Sequence, residues 1–147
     1  MGMIKIITAQ DRATTSTVAM DKLGELSMDD DGSMFRYVQA GAAVAQYDAC
    51  TQGTGSFVVI PTSGVNQVVY GAAQIACASG SYFWLQISGK ATCKVVVSTA
   101  AGSGLVPNAT AGTLALAAAG TPDTYLAGCR AIAVVTGVAA GSEIYLA

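Results

Sequence analysis

The run Asp29-Asp30-Asp31-Gly32 is the densest cluster of charged side chains in the sequence. Carboxylate oxygens are the ligands that Ca²⁺ prefers, but a calcium-binding EF-hand loop places its acids at alternate positions and ends in a Glu. This run does neither. An Asp-Gly pair between two strand-like segments is typical of a hairpin turn in which the glycine takes a positive φ angle. We therefore interpret the run as a solvated turn, with cation binding as the alternative, and predict no metal site.

The four cysteines do not form a recognisable site. Cys50, Cys77, Cys93 and Cys129 contain no CxxC pair, and the chain has no histidine to complete a metal-ligand set or to act as the base for a cysteine nucleophile. We predict that they are reduced, buried and packed as small hydrophobic residues, with a disulfide as the alternative.

Catalytic motifs are absent from the sequence as well. There is no histidine-containing triad, no GxGxxG and no P-loop, and Gly102-Ser103-Gly104 reads as a turn. Asp48 and Asp123 are candidates for a pair of catalytic carboxylates, but nothing in the sequence places them together. We predict that the protein is not an enzyme and uses no cofactor.

Charge is concentrated at one end of the chain. Ten of the 16 Asp, Glu, Lys and Arg residues fall within positions 1–36 of the 147, and the net charge is −2. Nucleic-acid binding is disfavoured because phosphate neutralisation needs clustered Lys and Arg. Apolar runs are too short to span a membrane, and Lys5 interrupts the only N-terminal one, so we predict synthesis in the cytoplasm without export.

The remainder of the chain is poor in charge and rich in small side chains, with 27 Ala and 17 Gly. Small side chains bury little apolar area each, and a surface with few charges is poorly solvated. We therefore expect the body to bury surface against other chains, most simply as a homo-oligomer.

Short β-rich runs separated by Gly, Ser, Pro or Asn recur through the chain, which is the pattern of an antiparallel β-sandwich or barrel. We predict an all-β body, residues 23–147, preceded by an extended N-terminal arm, residues 1–22, that lacks helical or strand periodicity. The Ala-rich stretch 109–119 allows a helix of about two turns. The predicted strands are 23–28 and 34–40 (a hairpin), 56–60, 65–70, 82–87, 94–97, 131–136 and 143–146.

Three segments resemble small structural proteins from the head gene clusters of tailed phages, namely the capsid decoration (cement) proteins. They are RYVQAGAAVAQYDA (36–49), VYGAAQIA (69–76) with GSYFWLQISG (80–89), and GVAAGSEIYL (137–146). The resemblance covers roughly residues 34–147. It implies a virion protein that binds the outside of the expanded shell, with the major capsid protein and its own copies as partners.

The resemblance also implies roles for particular residues. A trimer is preferred by analogy with decoration proteins at local three-fold positions, and a dimer stays open. The residues expected to contact the shell are those of the arm: Ile4, Ile6, Ile7 and Arg12. The residues expected in the core or the oligomer interface are Tyr37, Phe57, Trp84, Leu85 and Tyr145.

Two other functions are compatible with the sequence. One is a different virion or surface module, such as a tail or fibre part or a glycan-binding adhesin, in which Trp84 serves as a sugar platform. The other is a self-assembling β protein without a viral role.

Overall fold

The computed structural model describes residues 5–64, 67–96, 102, 104–116, 130–131 and 141–146. Within these ranges the chain is nearly all β, which confirms the predicted fold class. The elements are β1 (Lys5–Ile6), α1 (Ala9–Arg12), β2 (Leu26–Met28), β3 (Met34–Ala40), β4 (Ala49–Gln52), β5 (Val58–Pro61), β6 (Gly71–Ala72), β7 (Tyr82–Cys93), β8 (Leu105–Pro107), β9 (Leu114–Leu116), β10 (Arg130–Ala131) and β11 (Ser142–Leu146).

Five of these strands close into a barrel. The order is β3-β5-β4-β6-β7, and β7 pairs again with β3. The β3–β5 pairing is parallel, and the other four are antiparallel. Closure satisfies backbone hydrogen bonds around the whole ring and removes the unpaired edges of an open sheet.

Additional strands extend the sheet on both sides of the barrel. The antiparallel β2–β3 pair is the hairpin predicted from the sequence, and β1 adds to β2 in parallel. On the other side, the second half of β7 pairs with β11, which pairs with β10. A separate hairpin is formed by β8 and β9.

Both faces of the β3–β7 pair are buried. One face points into the barrel, where Val38, Phe83 and Leu85 belong to one hydrophobic cluster. The opposite face carries Tyr37 and Trp84, which are paired across the two strands. Alternation along a strand explains both sets, since successive side chains point to opposite sides.

Several local predictions from the sequence are wrong. Residues 67–70 of the predicted strand 65–70 are not a strand, and the Gln67 side chain instead accepts hydrogen bonds from the backbone N–H groups of Ser63 and Gly64. Residues 65 and 66 lie outside the described part of the chain. The stretch 109–116 is not helical either. It contains the β8–β9 turn, where Gly112 takes φ +70° against the Asp48 side chain, and the strand β9.

Other predicted strands are altered or only partly covered by the structure. The predicted strands 82–87 and 94–97 differ from the observed ones. The first is longer than predicted, because β7 runs from Tyr82 to Cys93. In the second, Val95 makes an isolated bridge to Leu114. The predicted strand 131–136 is described only at β10. Residues 97, 117–119 and 132–136 lie outside the described part of the chain.

Candidate functional site

The acidic turn, Asp29–Gly32, is only partly solvated, so the sequence-based interpretation needs correction. Asp30 and Asp31 are exposed, but Asp29 is buried. Its Oδ2 atom lies 2.7 Å from Nη1 of Arg12. Gly32 has the expected positive φ of +87°. Among the described residues, no group of three or more His, Cys, Asp or Glu is arranged to hold a metal ion.

The other candidate groups for chemistry are engaged in packing. Asp48 is buried and pairs with Lys94 through Oδ1 and Nζ, 2.6 Å apart, while its other oxygen accepts from the N–H of Ala45. Its proposed partner Asp123 lies outside the described residues.

The described cysteines, Cys50, Cys77 and Cys93, are all buried. Burial raises the pKa of the Cys50 thiol, with smaller contributions from the Asp48 charge and from Cys77. Burial also raises the pKa of Cys77 to about 11. Such thiols are poor nucleophiles at neutral pH, because the thiolate is the reactive form. Cys129 lies outside the described residues.

The most distinctive surface of the molecule is an aromatic face on the outside of the barrel, formed by Phe35 and Tyr37 of β3 and by Tyr82 and Trp84 of β7. The rings of Tyr37 and Trp84 are tilted, with centroids 5.1 Å apart, and those of Tyr37 and Tyr82 are stacked at 6.2 Å. Such a face is unfavourable in water, and the chain covers it with its own N-terminal arm.

Ile7 is the apolar anchor of that cover. It is 2% exposed, packs with Phe35, Tyr37 and Trp84, and is the only buried residue between positions 5 and 22. On one side of Ile7 lies β1. On the other, Thr8 and Asp11 form a capping box that starts α1, with Thr8 N–H and Oγ1–H donating to Asp11 at 2.9 Å each. These bonds lower the pKa of Asp11.

Charged and polar contacts complete the docking of the arm. Lys5 Nζ lies 2.6 Å from Asp21 Oδ1 and 5.7 Å from the centroid of the Trp84 ring. The Arg12 guanidinium lies over Phe35, 5.6 Å from the ring centroid. Ser16 and Tyr82 exchange two backbone hydrogen bonds of 2.7 and 3.1 Å.

Four large apolar side chains are exposed on the arm and on the neighbouring strand β2. Ile6, at 75% exposed, lies directly opposite Met28 in the β1–β2 register, and both side chains face solvent. Val18 and Met20 in the arm are also largely exposed. We call these four residues the arm edge. Elsewhere in the described chain the large exposed apolar side chains are Val68 and Tyr145.

The structure separates the residues that the sequence grouped together. Ile4 lies outside the described residues; Ile6 faces solvent, whereas Ile7 and Arg12 contact the chain's own body. Of the packing candidates, Tyr37, Trp84 and Leu85 are buried, Phe57 is partly buried, and Tyr145 is exposed. Sequence reasoning did not identify the ion-pair partner Asp29 or the exposed Val18, Met20 and Met28.

Phe57 packs against Gly24, just after the end of the arm. It adopts a positive φ of 59°, and its ring lies where a side chain at Gly24 would project. The Arg36 guanidinium is placed near both Phe57 and Tyr70, at 5.5 and 5.8 Å from the ring centroids. This stack ties the start of the body to the β5 and β6 side of the barrel.

In the part of the chain that the structure describes, no helix is long and apolar enough to cross a membrane.

No protein-family model matches this sequence, and no curated protein matches it. The fold is similar to that in the crystal structure of the head fiber gp8.5 N base of bacteriophage phi29, with a TM-score of 0.58. The similarity covers 78% of this chain and 94% of that chain, at 12% sequence identity. At this identity the comparison shows a shared fold.

Proposed function

We propose that this chain is a non-enzymatic structural protein of a tailed-phage virion that binds the outer surface of the head and stabilises adjacent capsomers, as a decoration or cement protein. The observation that carries the proposal is the fold, which is shared with nearly the whole of the crystallised N base of a phage head fibre. A barrel of this kind is a rigid support, and its function depends on the surface that it presents.

The arm edge is the surface we assign to shell contact. Apolar side chains exposed together mark sites of protein–protein contact, whereas scattered single ones do not. Ile6 and Met28 are exposed side by side in the β1–β2 register, and Val18 and Met20 of the arm supply two more of the six large exposed apolar residues in the described chain. The rest of the exposed body surface is mostly Gly, Ala, Ser, Thr and Gln, which offers little to anchor a partner.

The arm also has the reach that a clamp needs. Once undocked and fully extended, a segment of 22 residues would span about 75 Å. A stable contact with a neighbouring subunit buries about 1,200–2,000 Å² in total. When the barrel binds one capsomer and its arm binds the next, more free energy is needed to separate the two capsomers. The shell then resists the internal pressure of the packaged DNA.

We propose further that the protein self-associates on the shell, as a trimer by preference and as a dimer otherwise. The charge-poor sequence supports this proposal, since few charges oppose contact between copies. Light scattering measures the mass in solution. A mass equal to one chain at all concentrations contradicts association in the free protein.

A head-fibre base is the second candidate, because the structural neighbour carries that name. Both candidates predict binding to the head, but they differ in consequence. A cement protein should raise the temperature at which purified heads come apart, whereas a fibre base needs only to be attached. A glycan-binding module is less well supported, because Trp84 is 3% exposed beneath the arm and presents no open ring face.

Co-sedimentation with heads tests the proposal. Heads are purified from a phage that carries this gene, after the gene has been deleted, and the purified chain is added back. We expect saturable binding that is weakened at least about tenfold by Ile6→Glu, since a charge replaces an apolar contact. Val68→Glu is the matched control, because Val68 is similarly exposed at 66% but belongs neither to the arm nor to β2; its binding should be unchanged.

The two variants separate the outcomes. Absence of saturable binding by the wild-type chain contradicts the proposed function. If the two variants bind equally strongly, the protein still binds heads, but the assignment of the arm edge to shell contact is contradicted.

A further inference from the structure

The arm is attached to the body at a few separated points. Two residues of β1 pair with β2 and Ile7 enters the aromatic cluster, while the polar attachments join Lys5 to Asp21 and Trp84, Arg12 to Asp29 and Phe35, and Ser16 to Tyr82. Most other side chains between positions 8 and 20 are exposed. A segment with so little buried apolar area belongs to the low-stability part of a structure.

Open volumes flank these attachment points. A cavity of about 150 Å³ lies between the arm and the aromatic face, lined by Asp11, Thr14, Met20, Tyr37 and Trp84 among others. On the other side of α1, a polar cleft of about 330 Å³ separates Arg12 and the acidic turn from Lys90 of β7 and Glu143 of β11. Close packing, which normally holds a segment in place, is therefore incomplete beneath the arm.

The ion pair between Arg12 and Asp29 also holds the arm weakly. Arg12 Nε is buried and has no hydrogen-bond partner among the described residues. The pKa of Asp29 is raised, chiefly by burial and then by a hydrogen bond with the Asp30 side chain, and neither the Asp30 backbone N–H nor the Arg12 charge reverses this. Both side chains therefore lose hydrogen bonds to water when the arm docks, and the contacts that they gain compensate for this loss only in part.

The barrel does not depend on the arm for closure. The ring β3-β5-β4-β6-β7 contains no residue before Met34. Its interior cluster, which includes Val38, Val59, Phe83 and Leu85, is likewise formed without arm residues. Loss of the arm contacts therefore leaves the barrel's hydrogen bonds and core in place.

We propose that residues 5–16 form a strap that releases from the aromatic face as a unit while the barrel stays folded, and that release uncovers Trp84. On a head, the released strap carries Ile6 onto a neighbouring subunit while Val18, Met20 and Met28 of the arm edge stay with the barrel, a step that rests on the proposed function. Release itself is a property of the free protein and does not rest on it.

Trp84 reports release directly, because it is the only tryptophan in the chain and lies under the strap. Its quenching by acrylamide is measured in increasing urea, together with far-ultraviolet circular dichroism. We expect quenching to rise at a lower urea concentration than the loss of β structure. Ile7→Ala removes the apolar anchor and should raise the released population at least tenfold, with the dichroism spectrum unchanged.

A reversible lock supplies the control. Ile6 and Met28 are directly opposite in the β1–β2 register with exposed side chains, so Ile6→Cys combined with Met28→Cys places two thiols where a disulfide can form. Oxidation should abolish the early quenching step, and reduction of the same protein should restore it. The proposal is overturned if Trp84 becomes accessible only together with barrel unfolding, or if the oxidised lock leaves the early step unchanged.

Hydrogen exchange on the wild-type chain gives a second measurement that needs no variant. The Ser16 amide, bonded to Tyr82, should open with a smaller free energy than the amide of Ala40 in the barrel strand β3, which is bonded to Ser81. Equal opening free energies at the two amides contradict a separate strap. Neither experiment involves a capsid, so a failure of the strap is distinguishable from a failure of head binding.

Discussion

Arg12 and Asp29 join the arm to the acidic turn through an ion pair of 2.7 Å whose two members are unequally buried. The side chain of Arg12 is 32% exposed, whereas that of Asp29 is 6% exposed. Removal of one partner leaves the other charge unpaired, and the two unpaired charges differ in their access to water. A free Arg12 can be hydrated in place, but a free Asp29 carboxylate is held away from water until the strap opens.

This asymmetry predicts unequal effects of removing each partner. Arg12→Gln should favour strap release by about 1–2 kcal/mol, between the usual values for exposed and buried pairs, because opening rehydrates Asp29. Asp29→Asn should have a smaller effect. Acrylamide quenching of Trp84 measures both. A larger effect for Asp29→Asn contradicts the order of burial on which this prediction rests.

Gly71 lies in β6, the shortest strand of the barrel, where barrel closure requires a residue without a side chain. A Cβ atom at this position would meet the carbonyl oxygen of Gln86 and lie 2.8 Å from Leu85 Cγ, so β6 and β7 would be forced apart. Gly71→Ala should lower the free energy of unfolding by about 3 kcal/mol. Urea denaturation followed by circular dichroism measures the change.

The matched control for that substitution is Gly64→Ala, where a Cβ atom would meet no atom of the described residues within 4 Å. It should alter stability by less than about 0.5 kcal/mol. Similar losses in the two variants would show that β6 does not close the ring as described.

The buried thiols predict low reactivity. Because the pKa of Cys77 is raised from 9.0 to about 11, its thiolate fraction at pH 8 is about a hundredfold lower than that of a free cysteine. Labelling of Cys50 and Cys77 by iodoacetamide at pH 8, followed by peptide mass spectrometry, should be slow in the folded protein and fast in urea. Rapid labelling of either residue in the native state contradicts their burial.

The same thiols predict a loss of stability in alkali. Folding raises both pKa values, so the folded state holds these protons more tightly than the unfolded state. The resulting stabilisation is complete below pH 9.0 and declines as the pH rises through the folded values. Between pH 8 and pH 10.5 the urea midpoint should fall less in a Cys50→Ala/Cys77→Ala variant than in the wild type.

The sequence predicted the β class and the β2–β3 hairpin because those depend on local patterns. Gly32 and the alternating side chains of residues 34–40 are sufficient for the hairpin. Closure of the barrel depends on pairings between distant segments, such as Gln39 with Val58 and with Tyr82, and local periodicity does not specify these.

Docking of the arm onto the aromatic face could not be predicted from local sequence patterns either, although two features of the sequence pointed towards it. Aromatic residues at Tyr37 and Trp84 alternate with the barrel-facing Val38 and Phe83, which indicates that both faces of these strands need cover. Thr8 and Asp11 have the spacing of a capping box at the start of a helix. The ion pair with Asp29 gave no comparable signal, because it joins residues from separate elements.

Cryo-electron microscopy of heads that lack this protein, imaged before and after the purified chain is added, tests the central claim most directly. We predict additional density of barrel size on the outer surface at lattice positions between capsomers, with the arm edge towards the shell. The absence of new density at saturating protein, or its appearance only on the tail or inside the head, would contradict the account.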